Sequence, residues 1–272
     1  MPRAWTAHYP VSVDTHALPE PAIRRIGVRD LGRALGAGLS DFLAVPTQLL
    51  FLGAIYPVVG LIAARAAWGG PLMPLLWPLV AGLSLVGPVA ALGLYEISRR
   101  RERGLPVSWR NAFDVLRSPA ILSIALLGLM LLAIFVAWIF AAQAIHHATI
   151  GAAAGPPPAS PQEFLWRVFA TDEGWWLILI GNGVGFLFAA LVLSLTVVSF
   201  PLLLDRPYLG PVTAVRTSLR AVAVNPVPMA LWGLIVAGLL FLGALPFFVG
   251  LAVVMPLLGH ATWHLYRRVV AH

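Results

Sequence analysis

Cysteine is missing from all 272 residues of the chain. Its absence excludes disulfides, iron–sulfur clusters, thiol chemistry and zinc–thiolate sites. Lysine is missing too, so all 18 basic residues are arginine, which we read as coding bias. Charge is scarce, at 11% of residues, where a soluble domain carries about 25%. Residues 1–27 lack the apolar core of a secretory signal, being broken by Pro2, Pro10, Pro19 and Pro21 with His8, Asp14 and Glu20. They are expected to be a disordered cytoplasmic N-terminus. Also missing are a Gly-x-Ser-x-Gly elbow, a metalloprotease helix and paired aspartates within an apolar stretch, so no catalytic constellation is in view. The expectation is a protein without enzymatic activity, catalytic residues or cofactor.

What the chain has is apolar sequence, 60% of its residues. Six long apolar stretches occur near 43–65, 73–96, 121–145, 176–203, 228–244 and 247–266. A spanning helix needs about 20 such residues to cross the ~30 Å hydrocarbon core. The fold expected is an all-α, polytopic helical bundle with six transmembrane helices, forming one membrane domain over residues 28–272. Away from the ends of the stretches polar residues are few, Ser84, Gln143, Asn182, Ser194, Thr196 and Ser199, and none of these is charged. A proton- or ion-coupled carrier would need an ionisable relay there.

The net charge of +7 has a topological cause. Arginines gather at the N-terminal flank, after the second and fourth stretches, and at the C-terminus. With six spans these segments share one face and hold sixteen of the 18 arginines; only Arg65 and Arg167 fall on the other. Arginine-rich loops stay cytoplasmic. Both termini are therefore expected in the cytoplasm of a bacterium, with the chain in the inner membrane. Nucleic acid is not an expected partner. Trp68, Trp77, Trp175 and Trp176 fit an outer aromatic belt, and Tyr95, Trp109, Trp263 and Tyr266 an inner one.

Three times an amphipathic segment leads through a proline into a spanning hairpin. The segments are Val28–Val45 before Pro46, Ser108–Ser118 before Pro119, and Pro211–Asn225 before Pro226. Their apolar stripes are Leu31, Leu35, Leu39 and Phe42; Trp109, Phe113 and Leu116; and Val212, Val215, Leu219 and Val222. Arginines accompany each stripe. Such helices lie in the headgroup plane, which makes Arg29, Arg33, Arg110, Arg117, Arg216 and Arg220 candidate contacts to lipid headgroups. Membrane lipids are the expected partner, alongside another membrane protein complex. On the far face, Ser160, Pro161 and Glu163 carry the pattern of a capped helix start. A short surface helix is expected there, as a solvated connector or, less readily, a binding lid.

The candidate polar cluster lies on the arginine-rich face: Glu96, Asp205, Arg206, His260 and His264. His260 and His264 are four residues apart and share a helical face. They could hold a metal or haem, or simply bond to headgroups, water or Asp205. An inward-facing vestibule of these five residues, joined to Asn182 and Ser194, would suit a transporter or channel for a small or lipid-like substrate. Gly181-Asn182-Gly183-Val184-Gly185 follows no strand and is better read as small residues for close helix packing.

Asp30-Leu31, Ala34-Leu35, Gly38, Asp41-Phe42, Ser199-Phe200-Pro201, Leu204-Asp205-Arg206, Ala214, Ser218, Ala221, Asn225 and the run Gly259 to Arg267 together resemble a bacterial membrane-protein family. It is catalogued as domain of unknown function 2189. The resemblance implies a six-span inner-membrane protein and no established activity. More distantly, an amphipathic helix before a hairpin is similar to the membrane part of certain glycerophosphodiester phosphodiesterases. That likeness implies architecture only.

Overall fold

The computed structural model describes residues 20–45, 75, 78–79, 87–151, 160–245 and 250–271. Apart from the single antiparallel bridge between Ile23 and Val270, the described residues are helical or irregular. The helices are α1 (Val28–Ala44), α2 (Leu92–Glu102), α3 (Ile121–Ala148), α4 (Pro161–Ala170), α5 (Asp172–Thr196), α6 (Ser199–Asp205), α7 (Gly210–Val224), α8 (Pro226–Ala244) and α9 (Leu251–Val269). A short turn, Gly87–Ala90, leads into α2, and a 3₁₀ segment, Trp109–Arg117, follows it.

Among the described residues, three helical stretches are long and apolar enough to cross a membrane. These are α3, α8 and the 34-residue run Asp172–Asp205 formed by α5 and α6. At 1.5 Å per residue, α3 reaches about 42 Å and α8 about 28 Å, bracketing the hydrocarbon thickness. The expected spans 121–145, 176–203 and 228–244 lie within these helices. The 43–65 stretch falls outside the described residues beyond Val45, and 73–96 is described mainly from Gly87 on. The sixth, 247–266, forms α9 from Leu251 on and is not among the three. Its second half carries His260, His264, Arg267 and Arg268 and is buried by other helices.

Breaks in the helices have local causes. Between α5 and α6 the chain turns at Val197–Val198, four residues before Pro201. The Pro201 ring has no N–H for the Val197 carbonyl and crowds it. Ser218 Oγ accepts from the freed Val198 N–H at 3.2 Å, so α7 closes the gap. Ser160 caps α4 by accepting from Glu163 N at 3.2 Å, as its sequence predicts. Thr171 then caps α5 by accepting from Gly174 N at 3.1 Å. A Cβ on Gly174 would sit 2.3 Å from the Arg167 and Val168 carbonyl oxygens, so this corner needs glycine.

The main core gathers α1, α2, α6, α7, the first part of α3, the start of α8 and the end of α9 around Phe200, Trp232, Trp263 and Tyr266. Two glycines set the spacing. A Cβ on Gly38 would lie 2.6 Å from Ala261 N, so α1 and α9 cross backbone against backbone. A Cβ on Gly259 would lie 2.4 Å from Leu94 Cδ1, which packs α9 as tightly on α2. The glycine run behaves otherwise. Only Gly185 meets a neighbour, Trp138, while positions 181 and 183 open onto empty space.

Disorder through residue 27 does not hold for residues 20–27. Arg24 N donates to Val269 O at 2.7 Å, Ala271 N to Ala22 O at 2.9 Å, and Ile26 N to Asn225 Oδ1 at 2.8 Å. Both ends of the described chain are thus pinned together against α7. Residues 1–19 lie outside the described residues.

Candidate functional site

α2 is the hub of the polar cluster. Successive helical residues point about 100° apart, so the run Glu96 to Arg103 reaches four neighbours at once. Ser98 and Arg101 reach α1, Arg100 the 3₁₀ segment, Arg99 and Arg103 α6, and Glu102 reaches α9.

The deepest group joins α1, α2 and α9. Asp41 is 6% exposed, Ser98 is fully buried and His260 is 1% exposed. Ser98 Oγ donates to Asp41 Oδ2 at 2.5 Å. Its single hydrogen is thereby used, so His260 Nδ1, 2.8 Å from the same oxygen, is the donor of that pair. His264 Nε2 lies 2.8 Å from Asp41 Oδ2 and donates to it. Arg101 Nη1 binds Asp41 Oδ1 at 2.8 Å and the Ser40 carbonyl at 2.9 Å. Burial pushes the Asp41 carboxyl up, but hydrogen bonds from His264 and Ser98 outweigh it and hold the group below the usual carboxylate value.

The other acids are engaged separately. Glu96 pairs with Arg99 Nη2 at 2.6 Å and Arg100 Nε at 2.9 Å. Arg100 continues to Asp114 at 2.8 Å, and Asn111 binds the same carboxylate at 2.9 Å. Asp205 accepts from Tyr266 Oη at 2.8 Å and pairs with Arg103 at 3.0 Å. Glu102 takes Arg267 Nε at 2.7 Å and the Trp263 indole N–H at 3.1 Å. Arg206 Nη2 donates to the Ala271 carbonyl at 2.6 Å.

Of the five expected cluster residues, the structure brings together His260 and His264, through Asp41 and Ser98. Glu96, Asp205 and Arg206 belong to other networks on the same end of the bundle. Sequence reasoning missed Asp41, Ser98, Arg101 and Glu102. Asp41 had a signal, since it sits in register with Leu31, Ala34 and Gly38 on the buried face of α1. The histidines meet Ser98 and Asp41 in place of headgroups or Asp205. Among the described residues, no three His, Asp or Glu side chains are placed to hold a metal ion. Ser98 has no exposed surface from which to attack a substrate.

Three of the inner-belt aromatics are core residues. Trp263 and Tyr266 are fully buried, because Glu102 and Asp205 satisfy their polar tips within the protein. Tyr95 is 2% exposed as well. Trp109, Trp175 and Trp176 do face outward; Trp68 and Trp77 lie outside the described residues. The polar residues of α5 bond within their own helix: Asn182, Ser194 and Thr196 each bond to the carbonyl four residues back.

The amphipathic segments share one arrangement. In α7 the buried residues are Ala214, Thr217, Ser218 and Ala221, while Val212, Leu219, Arg216 and Arg220 face outward. In the 3₁₀ segment Ala112 and Val115 are buried, while Trp109, Phe113, Leu116, Arg110 and Arg117 are exposed. In α1 the exposed set includes Val28, Leu39, Leu43, Arg29 and Arg33. Small residues let each segment lie close to the bundle, and the large apolar ones are left outside. Leu31 and Phe42 of the α1 stripe turn inward onto α9 instead. Arg216 and Arg220 both bind Glu20, whose carboxyl is held below its usual value chiefly by the Arg216 hydrogen bond.

No curated protein and no solved structure matches the chain. The likeness to the phosphodiesterase membrane part thus rests on the amphipathic pattern alone. Residues 76–205, which contain the α2 hub, the 3₁₀ segment and α3 to α6, match a family described as predicted integral membrane protein, domain of unknown function 2189. That match covers 130 of the 272 residues, and over it the chain is similar to this family of integral membrane proteins of unknown function.

Proposed function

We propose that this integral membrane protein crosses the bacterial inner membrane six times, with both termini in the cytoplasm. Its work is non-enzymatic: it holds anionic lipid headgroups at the cytoplasmic surface and supports another membrane protein complex. The observation that carries this reading is the shared arrangement of α1, the 3₁₀ segment and α7. Each turns large apolar side chains and arginines outward. In water that surface would leave Val212 69% and Leu116 67% exposed at a hydrophobic cost. At a bilayer surface the apolar groups enter the acyl boundary while arginine stems extend to the phosphates.

Arginine suits the role because its planar fork matches an oxyanion in two contacts. Arg216 and Arg220 already hold both oxygens of one carboxylate, Glu20. A phosphodiester offers the same acceptors. The closed ion-pair networks of α2 serve this function by keeping the surface rigid.

The test is lipid composition. The full-length protein, extracted into polymer-bounded discs without detergent, should retain more phosphatidylglycerol than the surrounding membrane contains. R216Q/R220Q should lower that enrichment. Equal lipid content in the wild type and the variant would contradict the reading.

A further inference from the structure

We infer that α4 lies flat in the membrane interface opposite the arginine-rich end, with Leu165, Trp166 and Phe169 inserted among lipids. It is neither a solvated connector nor a lid.

Three observations meet here. First, α4 ends only one residue before α5, and the corner at Thr171 is rigid. Gly174 touches the α4 carbonyls, and Thr171 bonds to both helices: its Oγ1 donates to Arg167 O at 2.6 Å and accepts from Gly174 N at 3.1 Å. Because α5 begins a membrane-crossing stretch, α4 is fixed at the depth where that stretch meets the interface. Second, the side chains of α4 sort into three directions. Val168 is buried on the protein side. Glu163 and Arg167 pair with each other across one turn at 2.6 Å. Leu165, Trp166 and Phe169 share a third face and are 52%, 64% and 60% exposed. A helix standing in water needs no third face of this kind, whereas one lying in the interface has protein, water and lipid as separate neighbours. Third, Trp175 and Trp176, immediately after the corner, are each 58% exposed. Tryptophan at the first turn of a spanning helix marks headgroup level. The exposed apolar surface therefore runs in sequence from Leu165 through Phe169 to Trp176 and on to Leu179, Phe186 and Leu187 of α5. The occupant of the α4 face is the one that covers α5, the bilayer.

The absence of native cysteine permits a clean test on the full chain. Single variants Phe169→Cys, Trp166→Cys and Arg167→Cys are labelled with a small fluorophore and placed in discs containing brominated phosphatidylcholine. Leu129→Cys, on the exposed face of α3, confirms that each preparation is membrane-embedded. Labels at 169 and 166 should be quenched by bromolipid several times more than the label at 167, and less by aqueous iodide. Iodide quenching of all three alike, with no bromolipid effect, would place α4 in water and overturn the inference. Protection of 169 and 166 from both quenchers would show a protein cover and overturn it equally.

Discussion

The two ends of the molecule solve the same problem with opposite chemistry. Near α2 the helices enclose a core of large side chains, and only the outer faces of the amphipathic segments leave theirs exposed. Phe200, Leu202, Leu203, Trp263 and Tyr266 show no more than a trace of surface, and acids and arginines interlock around them. Along α3, the outer part of α5 and α8, large apolar residues face outward: Leu122, Phe140, Phe186, Leu187 and Phe241 are all more than half exposed. The second core there is small, centred on Leu75, Trp138 and Ala142. In lipid no hydrophobic force drives apolar surfaces together, so helices there need only packing contacts. Where the chain meets headgroups and water, polar groups must be paired and apolar ones covered. The difference teaches that the rigid part of this protein is the arginine-rich end.

The strongest way to break that contrast is to remove Asp41. It accepts from Ser98, His264 and Arg101 in a buried setting. Asp41→Ala should destabilise the protein by about 3–5 kcal/mol, the range for breaking one side of a buried charged pair, read from thermal unfolding in detergent. Gly38→Val comes next. It forces side-chain atoms into Ala261 backbone, and overpacking of this kind costs about 3 kcal/mol. A gentler comparison uses two leucines on α3. Leu131 is fully buried and Leu129 is 62% exposed. Leu131→Ala should cost about 2 kcal/mol, and Leu129→Ala less than about 0.5 kcal/mol. Equal effects would mean that the exposed face of α3 is covered by protein.

Acid sharpens the comparison further. The Asp41 carboxyl is held below its ordinary value in the folded protein. Its stabilising share is therefore complete above the unfolded value of about 4 and is lost as pH falls through the lower folded value. Melting curves of the wild type and Asp41→Asn should differ most near neutrality and draw together toward about pH 3. A constant gap across that range would contradict the assignment. The smallest effect is expected from Glu20→Gln, which frees Arg216 and Arg220 at the surface and should leave the melting temperature almost unchanged.

The long helices were legible in the sequence because apolar length alone defines them, as in Ile121–Ala148 and Pro226–Ala244. The α4 start was legible too, since Ser160, Pro161 and Glu163 act through local geometry. The direction of the amphipathic faces was harder. In α7 the apolar stripe suggested a helix in the headgroup plane but not which residues meet the bundle; Ala214, Ser218 and Ala221 turn in, because close approach to α6 needs small side chains. The polar network was the least legible part. Asp41 and Ser98 lie 57 positions apart and His260 lies 162 beyond Ser98, so no local pattern connects them. Trp263 resembled a belt residue because its partner, Glu102, is set by tertiary packing.

In the proposed topology the arginine-rich end faces the cytoplasm and the α4 corner the opposite side. Tyr208→Cys, in the exposed turn between α6 and α7, and Gln162→Cys, exposed on α4, place one reporter on each. Intact bacteria are treated with a membrane-impermeant maleimide. Position 162 should be labelled once the outer membrane is opened, and position 208 only after the inner membrane is broken. Labelling of position 208 while the inner membrane is intact would contradict it.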